Sequence, residues 1–327
     1  MPARAAQTPR MADFHDELPD PIRSLAGRQC GVLTFEQLRL AGLSDALVQR
    51  RLRRNRWRAV SAVVVVLHNG PLTRRQAFAA AVLSGGEECG LAAWTAAEAA
   101  GLRGWERPGV HILVSKGSKP ALVGGVETYV HESRRFSKDD LVAAWPPRVS
   151  IERSLVDAAV WTRKIRPACG ILAAGVQQRL TVPESLIATL DAAGAVRHRR
   201  VLRAALIDIS GGAQAVSEMD FLRFCDRNAL PRPLLQNVRV DSKGRRRYLD
   251  ATFRRRDGKL VRVEIDGALH LVAQTYWADM FRQNDLAIGH ELVLRFASFV
   301  IYANDPDAID QLRRALNLSE PHDYSAA

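Results

Sequence analysis

Leu260-Val261-Arg262-Val263-Glu264-Ile265-Asp266 alternates apolar and charged side chains with the period of two that marks a half-buried β-strand. Successive side chains on a strand face opposite ways, so Val263 and Ile265 point into packing while Glu264 and Asp266 share the other face. Upstream, Arg247 to Phe253 is a second strand pattern, separated from the first by an Asp257-Gly258 turn. Paired as a hairpin, the two strands bring Asp250 near Glu264. Working outward, a helix capped by Ser217 begins at Glu218, with Phe221, Leu222 and Cys225 three, four and seven residues on. That spacing puts Glu218 on the apolar face of the helix, toward the sheet. Val238-Val240 is a further strand pattern, Tyr276 to Ile288 a helix, Leu292 to Phe296 a strand and Ile309 to Leu316 a closing helix, with Val300 to Tyr302 expected to continue the sheet. Strands and helices interleave, which predicts an α/β domain over residues 211–318.

Glu218, Asp250, Glu264 and Asp266 converging on one site repel each other, and relief comes from a divalent cation or from protonation of some of them. Oxygen-only ligands suit Mg²⁺ or Mn²⁺ better than zinc. The surrounding strands are basic: Arg239, Lys243, Arg245, Arg246, Arg247, Arg254, Arg255, Arg256, Lys259 and Arg262 stand against Asp241, Asp250 and Asp257. A carboxylate centre rimmed by guanidinium groups suits metal-assisted hydrolysis of a phosphodiester. Each acid also has a purely local account. Glu218 favours the N-terminal end of a helix dipole, Asp250 caps a turn, and Asp266-Gly267 is turn chemistry.

The other end of the chain carries a different signal. Residues 1–18 are a polar tail. Pro21 to Gln29 reads as a helix; Thr34 caps Phe35 to Leu40, with Gln37 at capping-box spacing; Gly42 breaks that helix; Ser44 caps Asp45 to Arg54. Arg56 to Leu67 is then β-branched and strand-like. Two short helices around a tight turn, followed by strands, match the order of a winged helix-turn-helix over residues 19–70. Leu43, Leu47, Val48 and Leu52 hold the second helix to the domain, leaving Gln49, Arg50 and Arg53 on its outer side. With Arg54, Arg56 and Arg58 they form the candidate DNA-binding set, most of them positioning on phosphates rather than specifying bases. A helical hairpin with a solvated basic face, or a protein-binding winged helix, has the same pattern.

Bulk properties agree with a polyanionic partner. The 327 residues carry a net charge of +12 at pH 7, nearly all from arginine, and 47% are hydrophobic, enough for packed cores. Cys30, Cys89, Cys169 and Cys225 are scattered without a C-x-x-C pair, which argues against a zinc ribbon and against a disulfide framework and fits a reducing cytoplasm. The longest apolar run, Ala62 to Leu67, has strand length, and the N-terminus lacks a signal-peptide core, so neither a membrane partner nor secretion is expected. Residues 71–210 form an α-rich middle region with strands at Val110 to Val114 and Val126 to His131. His111, His131 and His198 lie too far apart in sequence to read as one site. The region is expected to bridge the two ends and to support a homodimer, and residues 319–327 are a tail.

Gly31-Val32-Leu33-Thr34, Gln37-Leu38, Ala41-Gly42-Leu43-Ser44 and Arg56-Trp57-Arg58 resemble the winged-helix domain of AbiEi-type antitoxins of type IV toxin–antitoxin systems, over residues 21–70. That resemblance implies promoter DNA as ligand and a cognate toxin as partner. Residues 217–316 resemble the DUF559 family, relatives of the very short patch repair endonuclease within the restriction-endonuclease-like PD-(D/E)xK fold. The carrying residues are Glu218, Pro231-Arg232-Pro233, Tyr248-Leu249-Asp250, Glu264-Ile265-Asp266-Gly267, His270, Asp279, Arg282-Gln283-Asn284, Leu286, Gly289 and Leu294-Arg295-Phe296. The resemblance implies Asp250 and Glu264 as metal ligands, Glu218 in support, and Gln283 positioning phosphate or water. The motif lysine two residues past the glutamate is Asp266 here, which leaves His270 as the candidate general base. The functions that follow are a metal-dependent DNA endonuclease in defence or repair, or a non-enzymatic antitoxin or transcription regulator with an inert nuclease fold. A protein-interaction scaffold is a third.

Overall fold

Residues 18–210, 218–236, 239–240, 246–247, 249–266, 284 and 293–318 are described by a computed structural model of the chain. Helix α1 (Asp20–Arg28) leads into strand β1 (Val32–Thr34), helices α2 (Phe35–Leu40) and α3 (Asp45–Arg53), and strands β2 (Arg58–Ala59) and β3 (Val64–Val66). The helix starts are written in local chemistry. The Thr34 hydroxyl accepts from the Gln37 amide at 3.0 Å while the Gln37 side chain accepts from the Thr34 amide at 2.9 Å. Ser44 accepts from the Leu47 amide at 3.3 Å. Between α2 and α3, Gly42 takes φ +82°, a left-handed turn that a side chain would strain.

The strands form an antiparallel sheet in the order β1-β3-β2, with Val32 opposite Val66 and Arg58 also opposite Val66. Both faces of β3 are buried. Val65 packs with Ile22, Ala26, Leu33, Leu38, Leu43, Val48 and Trp57, whereas Val64 and Val66 pack with Val32, Ala79 and Ala80. Two-sided burial explains why Val64 to Leu67 is continuously apolar rather than alternating. The expected strand over 56–67 is interrupted, with Val63 exposed at the bend between β2 and β3.

Helix α4 (Arg74–Gly85), strand β4 (Cys89–Leu91), helix α5 (Ala93–Ala99) and strands β5 (Val110–Ser115) and β6 (Thr128–Ser133) follow. They make a sheet of order β4-β5-β6, antiparallel between β4 and β5 and parallel between β5 and β6. The chain divides into two compact units, Met1–Ser154 and Leu155–Ala327, within helix α6 (Ile151–Trp161). Residues 71–154 therefore fold with the N-terminal elements and 155–210 with the C-terminal strands.

In the second unit, helices α7 (Ile165–Gln177), α8 (Pro183–Ala192) and α9 (Arg199–Ile209) precede α10 (Glu218–Arg227) and a sheet of order β12-β11-β10-β7. Its strands are β7 (Leu234–Gln236), β10 (Leu249–Arg254), β11 (Leu260–Asp266) and β12 (Val293–Ala297); β8 (Arg239–Val240) and β9 (Arg246–Arg247) pair separately. The helices Ser298–Ala303 and Pro306–Ala315 close the unit. Val300 to Tyr302, expected as strand, is helical. Pairing of β12 with β11 ends at Ala297 opposite Asp266, and the apolar Phe299-Val300-Ile301 is buried on a helix packed against α9 instead. The expected helix Tyr276 to Ile288 lies outside the described residues apart from Asn284, as does the linker 211–217. The class is mixed helix and sheet, and no helix among the described residues is long and apolar enough to cross a membrane.

Two polar contacts tie the helices preceding α10 to those closing the unit. Arg166 of α7 grips Asp305 through Nε at 3.1 Å and Nη2 at 2.7 Å, and Asp305 also caps the final helix by accepting from the amides of Asp307 and Ala308. On α9, buried Asp208 accepts a hydrogen bond from the Ser298 hydroxyl. Burial pushes the Asp208 carboxyl up to about 8 from the ordinary 3.8. The protonated form thus supports the fold fully at low pH, and that support drains away as pH rises through about 4 to about 8. The thermal unfolding midpoint of the wild-type chain is expected to fall across this window, and Asp208→Asn, which cannot ionise, to flatten the fall. Parallel pH profiles for the two proteins in scanning calorimetry would contradict this.

Candidate functional site

The register of the second sheet is what assembles acids. Asp250 of β10 lies directly opposite Glu264 of β11, flanked by Ala251 opposite Val263 and Leu249 opposite Ile265. Ala251, Phe253, Val261, Val263, Ile265, Leu294 and Phe296 are all buried, so one face of β10, β11 and β12 is core. Glu264 and its register partner Asp250 occupy the other face. Asp266, two residues further along β11, is at a position of the same face, opposite Ala297.

The third strand adds a cation. Arg295 of β12 is the parallel partner of Glu264, and its Nε donates to Glu264 Oε2 at 2.8 Å. Both side chains are solvent-accessible, at 57% for Arg295 and 36% for Glu264. The backbone beneath Arg295 is held by a buried amide: Asn284 Nδ2 donates to the Arg295 carbonyl at 2.7 Å and Asn284 Oδ1 accepts from the Arg295 amide at 2.9 Å. Gln311 accepts a second hydrogen bond from Asn284 Nδ2, at 3.1 Å. Asn284 therefore anchors the backbone of the residue whose side chain meets Glu264, a role that a sequence motif of Arg-Gln-Asn does not disclose.

The remaining sequence-derived residues are distributed as follows. Glu218 opens α10, whose Phe221 ring packs edge-on against Phe253 at 6.2 Å between centroids, so the helix lies on the apolar face, across the sheet from the positions of Asp250 and Glu264. The side chains of Glu218, Asp250 and Asp266 lie outside the described residues, as do His270 and Gln283 entirely. Among the described side chains no group of three or more His, Cys, Asp or Glu is disposed to hold a metal. The donor chemistry of Asp250 and Glu264, two carboxylates on adjoining strands of one face, suits a hard cation such as Mg²⁺ or Mn²⁺, with Arg295 competing for Glu264.

In the first unit, Val48 anchors α3 in the core, and Gln49, Arg50, Arg53, Arg54 and Arg56 are exposed. Arg58 is half-buried on β2 beside the fully packed Trp57. Arg50, Arg54 and Arg56, together with Arg51, line one cleft of about 230 Å³.

His111 and His131, set apart by the sequence expectation, meet in the fold. Parallel pairing of β5 with β6 puts His111 opposite Tyr129 and Leu113 opposite His131, and His111 Nδ1 and His131 Nε2 share a hydrogen bond of 3.0 Å. The His111 ring stacks on Tyr129 at 4.8 Å and leans on Trp94 at 4.9 Å. Burial, with His131, Arg107 and Arg74 adding to it, drives His111 down to about 4, and burial lowers His131, so the pair is neutral near pH 7. The signal was present in the two strand patterns, but only their parallel register brings the rings together. His198 is in the other unit, bonded to the Arg163 carbonyl at 3.0 Å.

No protein-family model matches the chain, and no curated protein matches its sequence.

Replacing Asn284 by alanine strands the amide and carbonyl of Arg295 in a buried setting. The expected cost is roughly 2–4 kcal/mol of stability, read as a drop in the urea midpoint of the full chain. An unchanged midpoint would show that the Arg295 backbone has other partners.

Proposed function

We propose that this chain is a DNA-binding protein whose second unit is a metal-dependent phosphodiester hydrolase. The observation that carries it is the register pairing of Asp250 with Glu264 on the polar face of a sheet otherwise buried on its other side. Carboxylates at opposed register positions on adjacent strands repel when they approach, and a hard divalent cation relieves that repulsion. Asp250 and Glu264 are the residues to hold it; when bound, Mg²⁺ or Mn²⁺ supplies charge neutralisation at a scissile phosphate and acidifies a water. Arg295 stands where a phosphodiester approaching Glu264 meets a guanidinium. His270 as general base and Gln283 as the group positioning phosphate or water belong to the same proposal, with Asp266 in support; Glu218, on a helix packed against the opposite face of the sheet, is left out of it.

DNA binding is assigned to the first unit, as a winged helix-turn-helix. The order α1-β1-α2-α3-β2-β3, the sheet order β1-β3-β2 and an exposed arginine-rich face on the second helix of the pair support it. The second unit, with its mixed sheet and flanking helices, is assigned to the restriction-endonuclease-like fold. A net charge of +12 favours the same polyanion, and four unpaired thiols fit a reducing cytoplasm.

One observation favours a second function, a DNA-binding regulator or antitoxin without hydrolase activity: a guanidinium already neutralises Glu264. Purified full-length protein incubated with supercoiled plasmid and Mg²⁺ or Mn²⁺, beside Asp250→Ala/Glu264→Ala, separates the two. Nicking by the wild type alone, with gel-shift affinity equal in both proteins, is the expected result. Identical products from the two proteins remove the hydrolase and leave the regulator.

A further inference from the structure

The arginine cleft at the end of α3 is built by the backbone, not merely by composition. Arg54 caps α3, its amide bonded to the Arg50 carbonyl at 3.1 Å. Asn55 then takes φ +50°, a left-handed conformation that asparagine tolerates, and the chain doubles back. The Arg56 amide returns to the Arg51 carbonyl at 3.0 Å, and Trp57, 5% exposed, pins the exit in the core. Arg50, Arg51 and Arg54 fall one and four residues apart on one side of the helix, and the turn delivers Arg56 to the same place.

The lining of that cleft is Arg50, Arg51, Arg54 and Arg56, and among the described residues it contains no acid. Arg50, Arg54 and Arg56 make no ion pair among the described residues, although the chain elsewhere pairs arginines freely: Arg74 with Glu98, Arg166 with Asp305, Arg255 with Asp257. Cations near a helix C-terminus gain from the dipole, but that gain is about 0.3–1 kcal/mol each and falls off within one turn. It does not account for a convergence of like charges around one cleft. Gln49 and Arg53, also exposed, are not among the lining residues and form a separate stripe, four residues apart, on the same helix.

From this geometry we infer that the Arg50–Arg51–Arg54–Arg56 cleft is a phosphate clamp for the backbone of duplex DNA, and that base contact falls to the Gln49–Arg53 stripe. This rests on the DNA-binding function proposed above and divides it between two faces of α3. Guanidinium forks match phosphate oxygens two at a time, and a preformed cleft spends little entropy in closing on them. The clamp carries no sequence information; it fixes where α3 sits on the duplex.

The test uses the full chain, short duplexes of unrelated sequence, and fluorescence anisotropy over a range of salt. Each phosphate contact contributes about 0.9 to the slope of log affinity against log salt, so Arg54→Ala/Arg56→Ala is expected to make that slope shallower by about 2. Its loss of affinity is expected to be the same factor on every duplex. Gln49→Ala/Arg53→Ala is expected to change the ranking among duplexes. Arg54→Lys/Arg56→Lys, which keeps the charge, restores most of the slope, and equal thermal midpoints establish that all variants fold. An unchanged slope in the alanine double variant, with the wild type still binding, overturns the clamp and leaves DNA binding standing. So does a loss that differs between duplexes, which makes the cleft a base reader. A wild type that binds no duplex at any salt removes the DNA function itself. If tripolyphosphate then raises the wild-type midpoint and not that of Arg54→Ala/Arg56→Ala, the cleft holds a free polyphosphate, and its assignment to the DNA backbone is overturned.

Discussion

Burial of one face of the β10–β11 pair is the constraint from which the site follows. Ala251, Phe253, Val261, Val263 and Ile265 are each at most 2% exposed, and alternation along two antiparallel strands then leaves no choice for Asp250 and Glu264. Slipping one strand against the other by one residue would turn that strand's core side chains outward and carry its acidic position to the apolar face. The hydrophobic effect, acting on side chains with no chemistry of their own, thus sets the register positions of two residues that have it. Phe221 and Phe224 of α10 complete that core, and their helix is held to the apolar side for the same reason.

Electrostatics then distinguishes the two units. In the second, acids have cation partners within the fold: Arg295 pairs with Glu264, and Arg166 binds Asp305 and Asp307 together. In the first, α3 concentrates guanidinium groups around a cleft whose lining has no acid among the described residues. Such imbalance stores repulsion that an external polyanion releases, and the release is graded by salt.

Buried polar groups mark where the fold is most exacting. Asn284 uses both ends of its amide on one residue of β12 and so holds the strand that carries Arg295. Asp208 is buried with a raised affinity for its proton, and His111 and His131 share a proton between rings that burial keeps neutral. Each would be costly without its partner, and each partner comes from a distant part of the sequence.

Sequence by itself determined what is local in this protein. The capping box at Thr34, the break at Gly42, the cap at Ser44, the helix Phe35–Leu40 and the strand Leu260–Asp266 all follow from side chains within a few residues of one another. The hairpin placing Asp250 beside Glu264 was legible too, because a turn and two alternating strands specify an antiparallel neighbour. Tertiary structure alone decided the rest. It joined His111 to His131 through a parallel pairing, set Arg295 on Glu264, gathered Arg51 with Arg50, Arg54 and Arg56, and folded Val300 to Tyr302 as helix once β12 had run out of partner strand. The physical reason is common to all four: a parallel register, a cross-strand ion pair, a cleft and the end of a sheet are relations between segments, and periodicity within one segment carries no term for where another will lie.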